Sequence, residues 1–213
     1  MITAGARPLR GDEMLRHLLL SAGIALFAAS AEESAPASSD VAAAKGRAEA
    51  AATTLQRTLL AELEAAIAAG GPANAVEVCR DVAQRHSKEL SESEGLVIRR
   101  TALRTRNPVN APDAFEREFL ESAEAGIRSG KQPTTKIEVV GTGGRGRELR
   151  MLRPLVFPGG ICSQCHGTAD EISPEVRAIL AERYPDDRAT GFRPGDLRGA
   201  LSVRVPLAAE ATQ

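Results

Sequence analysis

The chain has 213 residues, 43% hydrophobic and 26% charged, a balance that excludes a wholly disordered protein. The formal net charge is -1 and aromatics make up only 3% of the residues, so the basic stripe with interleaved rings expected of a nucleic-acid binder is missing. The cysteines, at 79, 162 and 165, are odd in number, which argues against a simple disulfide framework.

The first 31 residues read as an export signal. Arg16 and His17 precede a short apolar run, Leu18 to Phe27, and Ala29-Ser30-Ala31 fits the small-residue rule for signal peptidase. The run is too short for a spanning helix, which needs roughly 20 residues. The natural start is as well placed at Met14, since Asp12 and Glu13 suit a signal poorly. Cleavage after Ala31 leaves a mildly acidic mature chain with no membrane span, in the periplasm or an equivalent oxidising space.

Glu32 to Asp40, rich in Ser, Ala and Pro, reads as a flexible leader. Leu55, Leu59, Leu60, Leu63 and Ile67 stand at helical spacing within Val41–Ala69, and Gly70-Gly71 closes that helix. Pro72 starts a second helix to about Leu90, with Val76, Cys79, Val82 and Ala83 on one stripe. Gly95–Thr105 reads as a strand that turns basic, and Asn107–Pro112 as a turn. A third helix follows over Asp113–Ile127. Lys136–Val140 and Glu148–Phe157 predict a hairpin across a Gly-rich loop. Ser173 caps a short helix with Pro174 at its first position, reaching about Tyr184, and Gly199–Pro206 closes the chain as a strand. Helices first and antiparallel strands after them predict an α+β domain over 41–207, with helices packed on a sheet of about four or five strands and a short tail at 208–213.

The motif that carries chemistry is Cys162-Ser163-Gln164-Cys165-His166, the attachment signature of c-type haem. Two thiols three positions apart can each form a thioether with a vinyl group, and the next residue offers an imidazole to the iron. Other chemistries fit less well. A thioredoxin-like pair belongs in a βαβ unit, and a zinc site needs a further ligand with its own spacing. A plain disulfide between Cys162 and Cys165 stays open.

A sixth ligand can come from Cys79, His86 or Met151. Met151 reads as a core residue of its strand, and His86 has solvated neighbours. Cys79 sits among apolar residues, and an isolated exported thiol invites oxidation unless it is held, so the residues favour Cys79 without closing the choice. Arg99, Arg100, Arg104 and Arg106 are candidate partners for haem carboxylates, because guanidinium forks suit carboxylates. The alternative is a solvated edge strand that resists aggregation.

Three stretches resemble a known family of single-haem c-type proteins with a PAS-like fold, found in bacterial periplasms and cyanobacterial lumens and as sensor modules. They are Ala75–Cys79, Arg99–Asp113 and Ile161–Gly167, and the resemblance runs from about Val41 to Leu207. It implies a five-stranded antiparallel sheet flanked by helices. It also implies His/Cys ligation of one covalent haem c, by His166 and by Cys79 on the early helix.

The implied function is redox or diatomic-gas sensing, or one-electron transfer, without enzymatic activity. The implied partners are the haem-attachment machinery, a redox or signalling protein, and a gas ligand. Nothing after Leu207 reads as a kinase or cyclase. A thiol-disulfide oxidoreductase using Cys162 and Cys165, and a haem-free small-ligand module, are the competing classes.

Overall fold

A computed structural model describes residues 35–208 apart from Arg145, and the backbone alone at 35–38 and 77–80. The expected signal over 1–31, residues 32–34 of the leader and positions 209–213 of the tail lie outside the described residues.

Helix α1 (Ala35–Glu94) has two arms. Gly70 and Gly71 leave the helical region, and Gly71 adopts φ 73°, ψ −175°, a conformation that disfavours any side chain. Pro72 restarts the helix, where its missing N–H costs nothing. The break therefore stands where the glycine pair predicts it. The leader differs: it is helical from Ala35 onward, because Pro36 falls in the first turn and the alanines after it favour helix.

Strands β1 (Val97–Thr101), β2 (Lys136–Gly141), β3 (Arg147–Val156) and β4 (Leu197–Leu207) form one antiparallel sheet in the order β1-β4-β3-β2. The described sheet has four strands, not the expected five. Residues 157–196, the long link between β3 and β4, fold into short helices and turns instead of a further strand. β1 also stops short of Thr105, because Ala102 N–H turns aside to the Asn110 carbonyl at 3.2 Å.

Strand alternation divides the core. Leu149 and Met151 on β3, with Leu201, Val203 and Val205 on β4, meet Ala44, Ala48, Ala51, Ala52 and Leu55 of the first arm of α1. Alanines let that helix lie close to the sheet. Helix α2 (Ala114–Arg128) covers the other face, packing Phe119, Leu120 and Ala123 against Leu152, Leu197 and Ala200.

The N-terminus of α2 is locked by a capping box between Asp113 and Glu116. Glu116 is only 1% exposed. It accepts from Thr101 Oγ1 at 3.0 Å and pairs with Arg99 at 3.1 Å. Arg150 pairs with Asp113 at 2.6 Å, so every carboxylate of the cap faces a cation. Among the described residues no helix is long and apolar enough to cross a membrane.

Candidate functional site

The Cys-His motif begins in a single 3-10 turn, Gly160–Cys162, and continues as the short helix α3 (Ser163–His166). One turn thus carries both thiols, which are not joined as a disulfide. Their surroundings differ. Cys162 packs beside Phe157, Ala189 and Phe192, whereas Cys165 packs beside Val76, Ile172, Val176 and Leu180. Ile172, Val176 and Leu180 belong to α4 (Pro174–Arg183) and its approach, capped by Ser173 as its sequence predicts. Val76 belongs to the second arm of α1.

The loop before β4 is bound to the motif along its backbone. Phe192 N–H donates to His166 O at 3.0 Å, and Gly191 N–H to Gly167 O at 2.6 Å. His166 Nδ1–H donates to Ala189 O at 2.6 Å. A carbonyl can only accept, so Nδ1 carries the proton and Nε2 keeps its lone pair, the state in which an imidazole serves as a metal ligand. The ring stands edge-on to Phe192, with centroids 6.5 Å apart.

Burial, and then the charges of Arg198 and Arg106, hold the His166 pKa well below its ordinary value, against the hydrogen bond to Ala189. The imidazole is therefore neutral at neutral pH. Burial pushes the Cys162 thiol up, opposed in part by Arg198. A redox-active CxxC pair needs the reverse, a lowered thiol. The antiparallel sheet likewise offers no βαβ frame for one.

Arginines from three segments gather beside the motif. Arg106 pairs with Asp187 at 2.9 Å, side chains 13% and 10% exposed, and also reaches Cys165 O at 2.5 Å. Asp187 accepts Ala189 N–H at 2.7 Å with its other oxygen. Arg104 donates to Arg188 O at 3.1 Å and to Thr190 O, and its guanidinium lies 3.9 Å from the Phe192 ring centre. Arg198 lies against the same ring at 5.2 Å. Arg100 contributes charge to His166 and Arg198 from β1.

A family model described as Tll0287-like: Tll0287 matches residues 29–206. The chain belongs to the Tll0287-like family. It is also similar in structure to a cyanobacterial protein, described as the heme-protein Tll0287 in its crystal structure. The two share 25% identity, and the match covers 78% of this chain and 96% of that one with a TM-score of 0.58. No curated protein matches the chain.

In this Tll0287-like chain, Cys162, Cys165, His166, Arg100, Arg104 and Arg106 come together, and Arg99 does not. Neighbours on a strand point to opposite faces. Arg99 therefore turns with Thr101 to Glu116 under α2, while Arg100 turns to the motif side. Met151 is fully buried in the α1 core, and His86 sits between Glu62 at 3.3 Å and Glu89 at 3.4 Å on α1. For Cys79 only the backbone is described, within the second arm one turn beyond Val76.

Sequence reasoning missed Asp187, Ala189, Phe192 and Arg198. One signal was present for the first three. An aromatic residue in a chain with five Phe and one Tyr, closely following an Asp-Asp-Arg run, is unusual for a bare linker.

Proposed function

We propose that this protein carries one covalent haem c at Cys162, Cys165 and His166 and serves redox or diatomic-gas sensing, or one-electron transfer, without being an enzyme. The observation that carries the reading is the His166 ring, with Nδ1 tied to Ala189 O and Nε2 left for a metal, one residue after two thiols on the same turn. The donor set suits the group: one neutral imidazole, two thiols not joined as a disulfide, and a cluster of guanidiniums of the type that binds carboxylates.

Cys162 and Cys165 would each add S–H across a vinyl double bond, sulfur to one carbon and hydrogen to the next, so attachment would need no oxidant. His166 would hold the iron through its imidazole. Once bound, the haem supplies an iron that exchanges single electrons and takes diatomic ligands. Phe157 and Phe192 pack beside Cys162 and Val176 beside Cys165, so each thiol is partly shielded from water.

Cys79 is the proposed second axial ligand. Its support is that Met151 and His86 are engaged elsewhere, while the arm that bears Cys79 packs Val76 against Cys165. The reading takes the domain as PAS-like and the setting as periplasmic after removal of an N-terminal signal. A redox or signalling protein is its proposed partner, and the haem-attachment machinery its maturation partner.

Expression in an exporting host competent for haem attachment tests this. One haem mass should reside on the peptide containing Cys162 and Cys165, with the pyridine-adduct spectrum of a thioether-linked haem. Unmodified thiols in such a host would reject the proposal. A reversible two-electron couple in that product would favour thiol exchange, which the raised Cys162 pKa opposes. Its absence would favour a haem-free ligand module.

A further inference from the structure

We propose that Arg198 is the residue that receives a haem carboxylate, an inference that rests on the haem reading above. Sequence patterning suggested Arg99, Arg100, Arg104 and Arg106 for that role. The structure commits Arg99 to Glu116, and turns the Nε and one terminal nitrogen of Arg104 to loop carbonyls. Arg106 has Asp187 as its counter-ion.

Arg198 is differently situated. In the β3–β4 pairing, Leu155 faces Gly199 and Val156 faces Leu197, so Arg198 is the extra residue of a β-bulge. Bulges re-aim a side chain, and they gather beside functional sites. The next residue makes the bulge specific. Gly199 has φ 154°, and a Cβ there would stand 2.4 Å from Thr101 O.

The bulge places the Arg198 guanidinium against the Phe192 ring, beside the motif. Among the described residues no carboxylate lies in ion-pair range of Arg198. Its described hydrogen bond is a long one, 3.4 Å to Arg104 O, and its other contact is the Phe192 ring. Neither contact neutralises a full charge. Burial, then the charges of Arg106 and Arg100, push its pKa down to about 9, with Asp187 opposing. Arg198 is half-buried, and taking even part of a cation out of water without a partner is costly, so such groups are normally paired. The Phe192 ring that Arg198 contacts also packs beside Cys162 and stands edge-on to His166, so Arg198 lies beside whatever those residues hold. A haem held there brings two carboxylates, and Arg is the side chain whose fork matches one.

The test uses the haem-loaded full chain with Arg198→Gln and Arg198→Lys. Attachment is through the thiols, so mass spectrometry should find the parent's covalent load in both. Losing the cation leaves a carboxylate uncompensated and favours ferric iron. The reduction potential of R198Q should fall, and its propionate bending band in resonance Raman should shift. R198K should recover the potential in part.

A potential and a band both unchanged in R198Q overturn the proposal. Should R198Q fail to load haem, the band in R198K decides: shifted supports the assignment, unchanged overturns it. A parent chain without haem is seen first, by mass alone; it rejects the haem reading and this assignment with it.

Discussion

His166 Nδ1 and the Ala189 carbonyl lie 2.6 Å apart, and one largely buried ion pair braces the loop that presents this carbonyl. Asp187 bonds Ala189 N–H with one oxygen and Arg106 with the other, while Arg106 also reaches Cys165 O. Removing the carboxylate in Asp187→Ala strands a buried guanidinium, which should cost about 3–5 kcal/mol. Urea unfolding of the variant measures this. In haem-loaded protein the same change should broaden the iron spectrum as the imidazole loses its fixed orientation. A variant as stable as its parent would mean that the pair does not hold the loop.

The ligand opposite His166 is open to a three-way comparison in haem-loaded protein. Cys79→Ser should alter the ferric spectrum. His86→Gln and Met151→Leu should leave it intact, because His86 lies between two glutamates and Met151 lies in the sheet core. Met151→Leu nearly conserves volume and should cost below about 1.5 kcal/mol. A spectrum changed by M151L and untouched by C79S would move the ligand to the sheet.

Gly199→Ala should destabilise the fold through the sheet, not through the motif. The added methyl meets Thr101 O, and the backbone at φ 154° disfavours any side chain. A loss of about 1–3 kcal/mol is expected from forced overpacking. Hydrogen exchange should place the loosening on the β1–β4 ladder. Protection unchanged along Val97–Thr101 would count against it.

Acid should act on the α2 cap. Burial works to raise the Asp113 pKa, but the Glu116 N–H and Arg150 outweigh it and hold it below the ordinary 3.8. A lowered folded pKa means that the unfolded chain takes up the proton first as pH falls. The stabilisation is therefore complete above the unfolded pKa, about 3.9, and is lost as pH drops through the lower folded one. Asp113→Asn should flatten this acid limb of stability, read as the denaturation midpoint against pH. An identical acid limb in the variant would show that Asp113 adds nothing to it.

Several features were legible because their causes are local. Cys162, Cys165 and His166 share one turn by spacing alone. Gly70-Gly71 before Pro72 divides a helix wherever it occurs, and Ser173-Pro174 opens one. The hairpin over 136–156 follows from alternation across a glycine loop. The expected fifth strand was not of this kind: it came from resemblance, and no stretch between β3 and β4 has the alternation to form it.

The surroundings of the motif depend on contacts between segments distant in the chain. Arg99 and Arg100 are alike as letters, but strand pleating sends one to Glu116 and the other toward His166. Arg198 looks like any polar residue at a strand start until the skipped pairing between Leu155 and Val156 makes it a bulge. Asp187 and Ala189 matter to His166 only because the loop folds back to meet α3 through backbone bonds that no side-chain pattern encodes. The chain's own chemistry names the thiols and the imidazole. Packing against the sheet decides which charges surround them, because burial and register depend on the whole fold.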